Sequence, residues 1–190
     1  MDIAFGSPAQ VAGYVALVLG VSAFLQKSDT RLKVLIAAES VAYVAHFILL
    51  GNFPASGSAG VSCLRNLVSI RWRHPAWGAL FIALNVTIGL SFAKGAAGWL
   101  PVTASCLATV AVFTLKGVPM RLVLLVCTLL WLVNNLLSGS VGGTVLEAII
   151  AVVNLTTVCR MARVGRLARE GGLPLPPPVP AYQTVPSQTL

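Results

Sequence analysis

Residues 32–50 read LKVLIAAESVAYVAHFILL. The run has the length of one bilayer crossing, about 20 residues. It is far too long for a strand of a membrane barrel, which needs about 10. Yet it carries Glu39, Tyr43 and His46 in an otherwise apolar stretch. These lie at i, i+4 and i+7, which puts them on one face of a helix. Six further apolar stretches share its character: Pro8–Leu25, Pro54–Ile70, Pro75–Phe92, Trp99–Leu115, Pro119–Leu137 and Val141–Cys159. The chain of 190 residues is 57% hydrophobic and 9% charged, with a mean hydropathy of +0.88. A soluble domain carries about 25% charged residues, so this chain uses lipid as its solvent. An ordinary cytosolic enzyme, a disordered protein and a secreted disulfide scaffold are excluded.

The expected fold is therefore all-α, a polytopic membrane protein of seven transmembrane helices. Its transmembrane domain covers 8–161. Prolines stand at or near the start of five stretches (Pro8, Pro54, Pro75, Pro101 and Pro119), where the missing N–H costs nothing. None falls in mid-span, so no midplane kink is expected. Cys63, Cys106, Cys127 and Cys159 all lie in apolar stretches without CxxC spacing and read as packing residues. Met1–Gln10 has no Lys or Arg and carries Asp2, so it is not a cleavable signal.

Basic residues set the expected orientation. Lys27, Arg31, Lys33, Arg71, Arg73, Lys116, Arg121, Arg160, Arg163, Arg166 and Arg169 fall on one side of a seven-span layout, and only Lys94 falls on the other. The positive side is cytoplasmic. That places the N-terminus outside and the C-terminus inside. The net charge of +8 thus reports topology, not nucleic-acid binding. Residues 162–190 are a basic juxtamembrane segment, suited to anionic lipid, followed by a disordered proline-rich tail.

Shifted by 88 residues, helices 1–3 fall on helices 5–7. Gly51 meets Gly139, Asn66 meets Asn154, Tyr43 meets Trp131 and His46 meets Asn134. Identity between the halves is close to chance, so the repeat rests on topology and these few positions. The layout is two parallel three-helix repeats, about 8–73 and 97–161, joined by a linker helix over 75–93. Parallel repeats place a solute site near the midplane between the halves.

An ionisable group in hydrocarbon costs several kcal/mol and faces protein or water. Four polar faces are expected to converge: Glu39/Tyr43/His46, Cys127/Trp131/Asn134, Thr144/Glu147/Asn154, and Ala59/Cys63/Asn66 flanked by Ser62, Arg65 and Ser69. Their depths along the helices suggest two pairs, an inner Glu39–Arg65 and an outer Glu147–His46. The inner pair either staples helix 2 to helix 3 or gates a path. His46 is either a packing residue or a ligand contact. Asn66 and Asn154 either glue helices or line a substrate site. Aromatic faces with amide donors suit a small polar solute. Asn66, Asn154, Tyr43, Trp131, His46 and Asn134 are the candidate substrate residues, and Glu39, Arg65 and Glu147 the intramembrane charges. There is no HExxH, Walker, Rossmann or serine-elbow motif, so no enzyme, metal or cofactor is expected. Helix 7 lacks lysine, so it holds no retinal. Gly142-Gly143 permits close packing. Gly13, Ala16 and Gly20 suit packing within or between subunits, including a homo-oligomer.

Ala45-His46-Phe47 with Gly51, Arg65-Asn66, Pro119-Met120-Arg121, Trp131 with Asn134, and Gly139-Ser140 resemble the YgjV family of bacterial inner-membrane proteins, as do Gly142-Gly143-Thr144, Glu147 and Asn154. The likeness runs from about residue 10 to 165. The helix layout also resembles the SWEET and PQ-loop transporters. That resemblance implies substrate roles for Asn66 and Asn154, one in the third helix of each repeat. Tyr43 and Trp131 mirror its aromatic residues. The Pro-Gln dipeptide and the proline tetrad of those carriers are absent. The expected function is transport of a small polar solute. The alternative is a non-transporting adaptor acting through its basic, proline-rich tail.

Overall fold

The computed structural model describes residues 5–24, 29–72, 74–115 and 117–170. It holds seven α-helices: α1 (Pro8–Phe24), α2 (Asp29–Leu49), α3 (Phe53–Arg71), α4 (Pro75–Phe92), α5 (Gly95–Thr114), α6 (Gly117–Leu137) and α7 (Val141–Glu170). Local chemistry explains several of the boundaries. Asn52 caps α3 by accepting from the Ala55 N–H, and His74 caps α4 by accepting from Ala76. A proline follows within the first two helical positions of each, where its fixed φ is already helical.

The helices form a ring. α1 packs on α2, α2 on α3, α3 on α5, α5 on α6, α6 on α7, and α7 returns to α1. α4 stands outside it, against α3 and α5. Exchanging α1, α2, α3 with α5, α6, α7 leaves the pattern of neighbours within the ring unchanged, while α4 touches only α3 and α5. α2 and α6 have the same bounds at an offset of 88, and α3 and α7 begin at the same offset.

The helix bundle is inside-out by the standards of a soluble protein. Val18, Val41, Leu90, Leu136 and Val152 are each at least 60% exposed, while His46, Asn85, Asn135 and Ser140 are at most 1% exposed. An outer surface of isolated aliphatic side chains over a polar interior is what lipid requires. α4, α6 and the first 23 residues of α7 have the length and hydropathy of membrane crossings. Shorter apolar helices lie at Pro8–Ala23, Val34–Leu49 and Gly95–Ala111. α3 is the most polar of the ring outside the basic ends and buries Ser56, Ser58, Arg65 and Ser69.

One expectation changes. α5 begins at Gly95, so Pro101 lies inside the helix rather than at its start. There it removes one rung of the backbone ladder. α7 continues past Cys159 through the arginine-rich stretch to Glu170. The proline-rich tail, Lys27, Arg73 and Lys116 lie outside the described residues.

Candidate functional site

The site is built on two matching turns. Gly51 and Gly139 have φ of 71° and 66°, a left-handed conformation that favours glycine. Around Gly51 the Leu50, Gly51 and Asn52 N–H groups donate to His46, Ile48 and Phe47 carbonyls. Around Gly139 the Ser138, Gly139 and Ser140 N–H groups donate to Asn134, Leu136 and Asn135 carbonyls. Each is a Schellman ending. The next residue caps the following helix: Asn52 Oδ1 accepts from Ala55 N–H at 3.1 Å, and Ser140 Oγ accepts from Gly143 N–H at 3.2 Å. Every partner in one turn is offset by 88 from its counterpart in the other.

The two caps cross over. His46 of α2 bonds Ser140 of the second turn, Nε2 to Oγ at 2.7 Å. Asn52 of the first turn donates through Nδ2 to Asn134 Oδ1 of α6 at 2.9 Å and to Ser138 Oγ at 2.7 Å. His46 and Asn134 are equivalent under the offset, as are Asn52 and Ser140. One bond is therefore the image of the other. The halves are parallel, and they are tied at the end of the bundle that carries the start of α1.

α1 joins this tie. The Ala9 carbonyl lies 2.6 Å from His46 Nδ1. A carbonyl only accepts, so Nδ1 carries the proton. In the neutral ring, Nε2 then accepts from the Ser140 hydroxyl. Gln10 clamps the second turn from the same helix: its Nε2 donates to the Gly139 carbonyl at 2.6 Å and its Oε1 accepts from Val141 N–H at 3.1 Å. Close approach is possible because Gly13 faces His46. A Cβ there would stand 2.8 Å from the imidazole Cε1.

Below the tie runs an aromatic stack. Tyr43 lies on Phe47 at 5.4 Å between centroids, and Phe47 lies on Trp131 at 5.9 Å, bridging α2 and α6. Glu39, Tyr43 and Glu147 lie within electrostatic range of one another. Glu39 Oε1 lies beside Gly20 of α1.

The expected ion pairs are not made among the described residues. Arg65 turns to α5, where Nη1 donates to the Ser105 carbonyl at 3.2 Å and to Thr109 Oγ1 at 2.9 Å; Nη2 reaches Ser62 Oγ at 3.4 Å. It is not the partner of Glu39. His46 is held by Ala9 and Ser140, not by Glu147. Equal depth had suggested both pairs, but depth says nothing about which neighbour a helix face meets. The single polar core also resolves into parts: the crossed turns, the acids beside Tyr43, and the Arg65 cluster between α3 and α5. His46 and Asn134 take part in the first of these, and Tyr43 and Trp131 belong to the aromatic stack beneath it. Asn66 and Asn154 are half-buried, at equivalent places on α3 and α7. These two helices are not neighbours in the ring.

Asn52, Ser138 and Gln10 escaped the sequence reading, and Ser140 entered it only within the Gly139-Ser140 pair. A signal was present for two of them: both repeat glycines are followed by a capping residue, Asn52 or Ser140. Several buried polar atoms lack a partner among the described residues: Tyr43 Oη, Asn134 Nδ2, Arg65 Nε, and both amide atoms of Asn135. Each such group costs about 1–3 kcal/mol.

A ring of lipid-facing helices with a polar seam defines an integral membrane protein. The comparisons agree. A family described as bacterial inner membrane protein, Imp-YgjV, matches residues 7–164. The inner membrane protein YgjV of Escherichia coli (strain K12) is 34% identical over 155 residues, covering 82% of this chain and 85% of the relative. The chain belongs to the YgjV family of bacterial inner membrane proteins. No solved structure matches it.

Proposed function

We propose that the chain is a facilitative carrier of a small polar solute, not an enzyme. It would work by rocking its two triplets about the α2–α6 contact, in the manner that the SWEET and PQ-loop resemblance implies. The carrying observation is the pair of crossed bonds, His46–Ser140 and Asn52–Asn134. They join two parallel halves at one end, above an aromatic stack and two intramembrane acids. Closure of one end over a polar interior is the arrangement that alternating access requires. The unpartnered amide and hydroxyl atoms favour a polar cargo over an apolar one. In this reading the tied end faces outward, α7 carries its arginines into the cytoplasm, and Asn66 and Asn154 line the path from the opposite end.

Uptake into proteoliposomes from a mixed metabolite pool, read by mass spectrometry, tests this. Wild type should accumulate at least one solute, and Asn66→Ala/Asn154→Ala should not. In a background lacking the four native cysteines, Asn52→Cys/Asn134→Cys bridged by a short bifunctional thiol reagent should stop uptake. Cleaving the bridge should restore it. No enrichment by folded protein, together with loss of cellular function on deleting residues 171–190, would overturn the carrier reading in favour of an adaptor.

A further inference from the structure

Three helices bring side chains to one level inside the ring. Tyr43 of α2 and Trp131 of α6 lie six residues before the ends of their helices, Leu49 and Leu137, and Glu147 of α7 lies six after the start of its own, Val141. At 1.5 Å per residue that is about 9 Å below the tied end. Contacts join them. Phe47 stacks on both Tyr43 and Trp131. Trp131 packs on the buried cluster that holds Tyr43, Phe47 and Leu146. The Tyr43 hydroxyl lies within electrostatic range of Glu147 and of Glu39. Glu39 stands one turn deeper on the face of Tyr43 and reaches Gly20 of α1, where Leu146 of α7 meets the same glycine.

The layer is acidic and lacks a counter-charge. Glu39 and Glu147 lie within electrostatic range of one another, and neither makes a hydrogen bond or an ion pair among the described residues. The basic groups of the bundle interior are engaged elsewhere. Arg65 donates to Ser105 and Thr109, and His46 is a neutral ring between Ala9 and Ser140. Two like charges away from bulk water repel and call for a compensating positive charge. Tyr43 is 9% exposed, and its hydroxyl, in reach of both acids, has no partner among the described residues.

The layer is also open. Glu39, Trp131 and Glu147 each keep accessible surface, although each turns to partners inside the ring. Inward side chains that stay accessible line a space that a solute can enter. Their chemistry selects its class. Two carboxylates attract a cation, and an indole face beside them attracts it further. A hard divalent metal asks for about six or more oxygen ligands, and the described residues hold no group of three metal-binding side chains. An ammonium or guanidinium group needs only carboxylate acceptors and an aromatic face.

We propose that this layer binds an organic cation, an ammonium- or guanidinium-bearing solute, between Glu39 and Glu147, with the Tyr43 hydroxyl as a further acceptor and the Trp131 ring against it. The proposal names the solute class for the carrier reading and rests on it for its purpose. Its test is equilibrium binding, which succeeds or fails separately from uptake.

The full chain, purified in neutral detergent at low salt, is titrated by calorimetry with putrescine and with agmatine, and with glucose and succinate as uncharged and anionic controls. Saturable binding of at least one amine and of neither control is expected. Glu39→Gln and Glu147→Gln keep the side-chain shape and remove the charge. Each should weaken amine binding at least tenfold without lowering the melting temperature, because each relieves a repulsion. Tyr43→Phe, which removes only the hydroxyl, should weaken it at least threefold. No saturable binding of either amine by folded protein, the result if the two carboxyl groups simply hold protons, overturns the proposal. Binding that both Gln variants leave unchanged overturns it as well. Amine binding without uptake in proteoliposomes upholds the site and removes the carrier reading. Uptake of a neutral or anionic solute without amine binding does the reverse.

Discussion

Gly142→Ala is expected to cost about 3 kcal/mol or more, the upper range for overpacking a tight contact. In the start of α7, a Cβ on Gly142 would stand 2.5 Å from the Gly13 carbonyl oxygen and 3.0 Å from the Tyr14 nitrogen. Both are backbone atoms, so no rotamer change relieves the clash. α1 and α7 must move apart, and the bonds of Gln10 to Gly139 and Val141 are drawn apart with them. The melting temperature in detergent should fall by on the order of 10 °C. Gly60→Ala is the control. It is also helical, but its Cβ would meet only Val44 Cγ2 at an ordinary 3.7 Å. That variant should melt no lower than wild type, because removing a helical glycine relieves its entropic cost. Equal melting of Gly142→Ala and wild type would sink this account of the α1–α7 contact.

The second large effect is expected at His46, which is fully buried. His46→Ala removes the ring that fills the space over Gly13 and leaves the Ala9 carbonyl and the Ser140 hydroxyl without their partner. Cavity and desolvation terms together reach about 4 kcal/mol. The more telling quantity is the coupling. In a double-mutant cycle, His46→Ala and Ser140→Ala should couple by about 1–3 kcal/mol. The image pair, Asn134→Ala and Asn52→Ala, should couple with the same sign. Additive behaviour of both cycles in thermal or denaturant unfolding would show that the crossed bonds contribute nothing. Ser140 Oγ makes a second bond, accepting from Gly143 N–H, so Ser140→Ala alone also tests the cap, worth about 1 kcal/mol.

The repeat shows how sequence and structure divide the evidence. At the level of residue identity the halves are nearly unrelated. At the level of backbone chemistry they coincide bond for bond at the two turns. A Schellman ending needs only glycine at one place, and a cap needs only Asn or Ser at the next. His46 and Asn134 likewise fill one role with different groups, since each needs only to meet a cap across the halves. Selection for donor and acceptor at a position leaves little identity to count.

Other residues mark where reading along the chain stopped short. Pro101 stands near the start of the apolar stretch Trp99–Leu115, but α5 begins at Gly95 and includes Gly98. Helix packing outweighs the low helix propensity of the two glycines, and the proline becomes internal. Arg65 shows the same limit laterally. Its depth beside Glu39 was legible, but α3 touches α2, α4 and α5, and the guanidinium takes the side where Ser105 and Thr109 offer two acceptors. Two helices with matched charges at matched depth pair only if their polar faces turn towards each other.

Sequence alone determined the solvent, the number of helices, the 88-residue offset and the family. These follow from hydropathy and spacing, which are properties of the chain read in order. Tertiary structure alone decided that the halves are tied at one end and that His46 meets Ala9 and Ser140 rather than Glu147. Those facts depend on the rotation of each helix about its own axis. That rotation is set by which small residues allow close approach, Gly13 against His46 and Gly142 against Gly13, and no one-dimensional pattern records it.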